Sequence, residues 1–282
     1  EAMLLANECV AAYLTRRGVA SAFRVHDAPD PDHLQGAASA LVELGVIDRT
    51  LGLAISAGSQ EAMRRAIDEA AGTSVFELVN ALLLRAMQRA VYRPDNEGHY
   101  ALGAEAYCHF TSPIRRYPDL LVHRTLKLAL ARERLGAREV RERAPRLTGA
   151  GREGLDAVLP ALCRACSERE RIADAAAHAS QKVEVARYYG ERIGEQYHAV
   201  ISWVSEMGAF ARMDDTQAEG LIHLRDLGDE WFDFDGRQLA LVGSVSGRTV
   251  RPGNRVIVEV VSANPARGHL DLALVTSPRA LH

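Results

Sequence analysis

Apolar positions along the chain fall into two regimes, helical spacing up to about residue 193 and short alternating runs from Tyr197 onward. Met3, Ala6, Val10, Tyr13 and Leu14 fall near one face of a predicted first helix that stops at Gly18. A short extended piece is predicted over 22–26. Leu34, Ala37, Leu41 and Leu44 form a second amphipathic stripe, closed by Gly45. Ser74 and Glu77 have capping-box spacing and open an apolar helix predicted to reach Val91. Pro94, Asp95, Asn96 and Gly98 mark a polar turn over 92–98. Pro118 suits the first turn of a helix running to about Leu135, before Gly136. The last long helix is predicted over 152–190, with Pro160 ending or kinking its first part.

The second regime holds five β-rich runs, HAVISWV, GAFARM, GLIHL, RVIVEVV and HLDLAL, separated by glycine, asparagine and proline turns. Five short strands in so little chain predict a small closed barrel of the OB type. The expected fold class is therefore α+β. A mostly helical region over 1–193 is followed by a five-stranded barrel domain over 197–282.

Composition narrows the function without naming it. At 282 residues, 48% hydrophobic and 25% charged, the chain has the make-up of a globular protein and no apolar run long enough to span a bilayer. Four cysteines make no disulfide framework, so a reducing cytoplasm is expected. The net charge of -3 offers no global attraction to nucleic acid, and any such binding must use local patches. The chain opens on Glu1 and goes straight into a helical pattern, which reads as entry partway through a domain.

The densest chemistry lies over 99–124, HYALGAEAYCHFTSPIRRYPDLLVHR. His109, Thr111, Ser112, Arg115, Arg116, Asp119, His123 and Arg124 stand there among aromatics. A phosphodiester site needs these types: guanidinium groups grip two phosphate oxygens at once, and hydroxyls donate single bonds. Tyr107, His109 and Phe110 either stack bases or pack internally. The plainer alternative is a polar loop whose arginines pair with Asp119 and Glu105. From Arg115 to Arg146 the chain is rich in arginine and poor in carboxylates, a basic patch in an acidic protein.

The run His109-Phe-Thr-Ser-Pro-Ile-Arg-Arg-Tyr-Pro-Asp-Leu120, flanked by HYALG and HR, resembles the signature of the ribonuclease II/R family. EAMLLAN near the start, FRVHDAPDP at 23–31 and CSERERIAD at 166–174 match the family pattern in the same order. The resemblance implies the C-terminal part of an RNB catalytic domain. It also implies processive 3′→5′ hydrolysis of single-stranded RNA with magnesium, releasing nucleoside 5′-monophosphates. On that pattern Arg115 faces the scissile phosphate as the catalytic arginine. Tyr107, His109, Thr111, Ser112 and Arg116 are expected at the RNA, and Glu1 or a preceding residue at a ribose hydroxyl. Expected partners are single-stranded RNA and the upstream half of the same domain, in a monomer without membrane contact.

The barrel resembles an S1 domain through AVISWVSEMGAFARM, EGLIHLRDL and NPARGHLDLAL. That places Phe210 and His223 on a base-stacking surface, with Arg267 nearby for phosphate. Phe210 as plain barrel core stays open, and Met207 stands where the pattern often has another aromatic.

The chain departs from the family at the metal, since nothing matches its aspartate-rich upstream motif and no metal ligand is assigned. Asp27, Asp30 and Asp32 are expected to cap the following helix. Asp229, Asp233 and Asp235 fail the calcium-loop spacing and are read as a solvated acidic loop. Cys163 and Cys166 lack a second ligand pair and fit helix packing. His26, His33 and His178 show no joint metal spacing. The run 164–171 reads as a solvated helix face, though Arg169 and Arg171 could line an RNA channel. The rival to a nuclease is a non-catalytic RNA-binding module of the same ancestry.

Overall fold

The computed structural model describes residues 1–73, 75–143, 150–236 and 239–279. Side chains are described throughout these except at 135–138, 140–143, 150–154 and 276–279. The chain forms two compact units, each drawn from separate stretches: Glu1–Ala28 with Gln88–Asp174, and Pro29–Met87 with Ala175–His282.

In the first unit, α1 (Ala2–Arg16) ends ahead of Gly18, whose φ of 61° turns the chain out of the helix. Its buried residues are Asn7, Ala11 and Leu14, whereas Met3 is 64% exposed, so the inward face is rotated from the one predicted. Strand β1 (Phe23–Val25) pairs antiparallel with β2 (Val91–Arg93), and Arg24 N donates to Tyr107 O at 2.9 Å on its other edge. Val91 is thus in a strand and not at a helix end. Helix α6 (Tyr117–Arg143) continues through Gly136, a residue that costs a helix interior only about 1 kcal/mol. The tail of the basic patch at Arg146 lies outside the described residues. Helix α7 (Ala150–Gly190) runs unbroken across Pro160. Leu159 and Cys163 are buried in the core with Leu14, Val25, Tyr92 and Leu121, and that packing holds the helix across the missing hydrogen bond.

The second unit begins with α2 (Pro31–Glu43), capped by Asp30 accepting from Asp32 N and His33 N. Of the three expected capping aspartates only Asp30 caps; Asp27 instead holds Arg93 at 2.6 Å in the first unit. Helices α3 (Arg49–Ser56), α4 (Gln60–Ala70) and α5 (Phe76–Ala86) follow. The side-chain cap expected from Ser74 lies outside the described residues, and α5 stops at Ala86.

The barrel closes in the order β10-β5-β4-β3-β9 from β3 (Gln196–Ser205), β4 (Gly208–Met213), β5 (Glu219–His223), β9 (Arg255–Asn264) and β10 (His269–Arg279). Every pair is antiparallel except β10 with β5. Its core is the inward set of each strand, including Ile201, Met213, Ile222, Val258 and Leu272. Gly208 admits no side chain, because a Cβ there would lie 2.1 Å from Ile222 O. A three-stranded sheet of β6 (Phe232–Asp235), β7 (Ala240–Gly243) and β8 (Thr249–Val250) is inserted after β5. The supposed acidic loop is therefore partly strand. Asp233 and Asp235 alternate with the inward Phe232 and Phe234, a period-2 pattern too short to stand out among carboxylates.

Among the described residues, no helix is long and apolar enough to cross a membrane.

Candidate nucleic-acid interface

In the first unit the segment 99–116 is held from three sides. Tyr100–Leu102 is a single 3-10 turn closed by Gly103 at φ 63°, which returns the chain to pair beside His99. Asn7, 3% exposed on α1, reaches across: its Nδ2 donates to Tyr107 Oη at 3.0 Å, and its Oδ1 accepts from Phe110 N at 3.0 Å. Cys108 Sγ adds a bond to Asn7 O at 3.4 Å. From α6, His123 lies flat on Phe110 with ring centroids 4.2 Å apart, and its Nε2 is 3.0 Å from Phe110 O. From α7, Ser167 Oγ accepts from Tyr92 N at 2.9 Å, and Glu170 holds Arg24 at 2.6 Å.

The turn carrying the two arginines is pinned by Asp119. This carboxylate is fully buried, accepts from Ser112 N at 2.7 Å, and faces Arg116 Nε at 2.9 Å and Arg116 Nη2 at 3.1 Å. Its partner Arg116 is mostly buried, so that cation is committed internally and the expectation of an RNA contact there is not supported. Arg115 is the opposite case. It is exposed, and among the described residues no carboxylate or side-chain acceptor holds its guanidinium. One turn thus anchors Arg116 inward and presents Arg115 outward. The predicted pairing with Asp119 is found for Arg116, and among the described residues none is found for Arg115 or with Glu105.

Tyr107 is 5% exposed, its hydroxyl is bound by Asn7, and its ring meets His99 and His109 edge-on, so it packs internally and offers no stacking face. His109 Nδ1 is 2.8 Å from Tyr92 Oη, and burial, with Arg116 and Arg24 adding repulsion, pushes its pKa down to about 4. It is neutral at pH 7 and serves as a hydrogen-bonding prop, not a cation for phosphate. Thr111 and Ser112 are half-buried in the same turn, where Ser112 O accepts from Arg115 N at 3.3 Å. Glu1 lines a shallow cleft with Leu4, Leu5, Glu8 and Leu102; no contact among the described residues joins it to Arg115. Asn7 is the residue that sequence reasoning missed. Its signal was present, a lone amide at helical spacing from Ala11 and Leu14.

Among the described residues, no three His, Cys, Asp or Glu side chains gather to hold a metal. Asp119 and Asp27 are already engaged by arginines, so the described residues do not fit magnesium. Cys163 is buried with its pKa pushed up to about 12 by desolvation, in keeping with packing rather than ligation.

On the barrel, Phe210 points outward between the fully buried Ala209 and Ala211, which removes the core alternative for its ring. His223 shares that outer face, its Nε2 3.2 Å from Asp271 Oδ1, while Asp271 Oδ2 accepts from Ser262 Oγ at 2.7 Å. Arg267 is exposed in the turn joining β9 to β10, where its N–H donates to Asn264 O at 3.1 Å. Met207, 62% exposed, stands beside Gly208 at the β3–β4 turn. Beside Phe210 on the neighbouring strand, Trp203 is covered by the Arg85 guanidinium of α5, 4.0 Å from the ring centroid.

Comparison with known proteins agrees with both halves of this description. A family model described as the RNB domain matches residues 1–132, and one described as the S1 RNA binding domain matches residues 191–274. Residues 1–132 thus belong to the RNB domain family and residues 191–274 to the S1 family. The chain is 34% identical to ribonuclease R of Escherichia coli strain K12 over 99% of its own length and 33% of that relative's. Against ribonuclease R of Thermotoga maritima the identity is again 34%, over 98% of this chain and 36% of the other. The chain thus spans about a third of the length of these curated relatives. Mycoplasma genitalium RNase R, solved in complex with ribose methylated single-stranded RNA, superposes with a TM-score of 0.83 at 27% identity, covering 97% of this chain and 40% of that one. The RNB-type half and the S1 barrel are therefore a shared architecture, and the Arg115 turn lies inside the RNB match.

Proposed function

We propose that this chain is the RNA-gripping part of a 3′→5′ exoribonuclease that degrades single-stranded RNA to nucleoside 5′-monophosphates. Residues 1–193 would be the C-terminal part of its catalytic domain and 197–282 its RNA-capturing S1 domain. The observation that carries this is the division of labour in the Arg115 turn: Asp119 fixes Arg116 and the backbone, leaving Arg115 as an exposed cation with no carboxylate partner among the described residues. Such a group is preorganised to neutralise charge growing on a phosphate. The relatives named ribonuclease R, and the RNA-bound Mycoplasma structure, support RNA as the polyanion.

Magnesium, on this reading, is held by carboxylates of the remaining part of the domain. An arginine does not generate hydroxide at neutral pH, so the 282-residue chain alone binds single-stranded RNA without hydrolysing it. A cytoplasmic monomer is the working form.

The test is an exonuclease assay on a 3′-accessible oligonucleotide, with the chain alone and with the complete enzyme carrying Arg115→Ala. The expected result is binding without cleavage by the chain. In the complete enzyme, single-turnover cleavage should fall by at least about a hundredfold while affinity changes much less. Metal-dependent release of mononucleotides by the purified chain, or near-normal cleavage by the variant, would overturn the assignment.

A further inference from the structure

Helix α6 starts one residue after Arg116 and carries more charge than the turn uses. Its buried side is Leu121, Val122, Thr125, Leu128 and Ala129. At 100° per residue, Tyr117, Leu120, Arg124, Lys127 and Arg134 fall within one arc of about 100° outside the buried side, with Tyr117 at its edge, and all five are exposed. With a rise of 1.5 Å per residue, that row extends about 25 Å from the Arg115 turn. The acids of this helix whose side chains are described, Asp119, Glu133 and Glu139, fall at other angles around it. Asp119 is buried under Arg116, and Glu133 is bound by Arg17 and Tyr13 of α1. Arg17, Arg24, Arg93 and Arg116 of the same unit are ion-paired. Among the described residues, no carboxylate pairs with Arg124, Lys127 or Arg134. At the head of the row, the Tyr117 ring is 46% exposed, with Leu120 at 40% and Ile114 wholly exposed beside it.

We propose that this face of α6 is a second RNA site, a sugar-phosphate track that delivers the strand to Arg115, with Tyr117 as a stacking platform at its inner end. The inference rests on the proposed RNA function and assigns residues that the Arg115 turn does not include. An ordinary solvated helix face alternates charges, whereas this one carries three cations and no acid over its described length. Cations in a row with an aromatic at one end are what binds single strands without reading sequence, since phosphates meet the charges and any base meets the ring. Contiguity with Arg115 favours RNA over an acidic protein.

The test compares the full chain with the triple variant Arg124→Gln, Lys127→Gln and Arg134→Gln in binding a single-stranded oligoadenylate across a salt series. A control variant neutralises Arg49, Arg89 and Arg164, also exposed, to match the loss of net charge. Each lost phosphate contact lowers the slope of log affinity against log salt by about 0.7, so the triple variant should lose about two units and bind at least tenfold more weakly at moderate salt. The control should lose little of the slope. In the complete enzyme, cleavage of saturating RNA should persist in the triple variant, because Arg115 is intact. Equal slopes for wild type and triple variant, or an equal loss in the control, would overturn the track while leaving the proposed function standing. Unchanged RNA binding with lost binding of polyglutamate would assign the face to an acidic protein and also overturn it. Failure of the wild-type chain to bind RNA at all would overturn the function and the track together.

Discussion

Replacing Asn7 by leucine tests whether α1 holds the RNA-facing segment through that one amide. Leucine has nearly the same volume, so the site stays filled and the change isolates hydrogen bonding from cavity formation. Two partners lose their bond: the Phe110 N–H, 3.0 Å from Asn7 Oδ1, and the Tyr107 hydroxyl, 3.0 Å from Nδ2. Leaving a buried polar group unpaired costs about 1–3 kcal/mol. Tyr107 is 5% exposed and Asn7 3%, so water reaches the hydroxyl poorly, while Phe110 is only half-buried and its N–H can be partly rescued. The upper figure applies to one group and the lower to the other, and burying an apolar side chain returns about 1 kcal/mol. The expected net loss is about 2–3 kcal/mol. Urea unfolding of wild type, Asn7→Leu, Tyr107→Phe and the double variant would measure it, with unchanged m-values required. The cycle should return a coupling of about 1 kcal/mol between Asn7 and Tyr107. A loss below about 0.5 kcal/mol for Asn7→Leu, or no coupling, would refute the idea that this amide carries the segment.

Other substitutions probe the rest of the site. Asp119→Asn keeps an acceptor for Ser112 N but strips Arg116 of its counter-charge, and should cost about 3 kcal/mol in urea unfolding; stability equal to wild type would show that Arg116 is not held there. Phe210→Ala should weaken single-stranded oligonucleotide binding by about 1–3 kcal/mol in a fluorescence titration, leaving the melting temperature little changed because the ring is already on the outer face. For pH, the His109 pKa lies near 4, below the unfolded value of about 6.5, so the unfolded chain takes up the proton first. Stability is therefore complete above about pH 6.5 and declines as pH falls towards 4. The loss is at most about 3 kcal/mol, and nearer half that after solvent screening. Melting temperatures of His109→Gln across that window should fall less steeply than those of wild type, and parallel curves would refute the assignment.

Much of this protein could be read along the chain because its signals are local. The barrel strands alternate with period 2, so composition alone locates β3, β4, β5, β9 and β10. The motif from His109 to Leu120 is contiguous, so its chemistry could be recognised without a fold. Gly18 and Gly45 mark helix ends because positive φ is a property of one residue, whereas Gly136 lies inside α6 and marks none.

What the chain order leaves open is decided by partners far away in sequence. Two adjacent arginines are indistinguishable until Asp119 is buried against one and leaves the other in solvent. Tyr107 has the composition of a stacking residue, but Asn7, a hundred positions earlier, turns its hydroxyl inward. Pro160 is a helix breaker by its own chemistry, but the buried Leu159 and Cys163 beside it keep α7 intact. In each case a local preference of about 1–3 kcal/mol is outweighed by burial or ion pairing that exists only once distant segments meet.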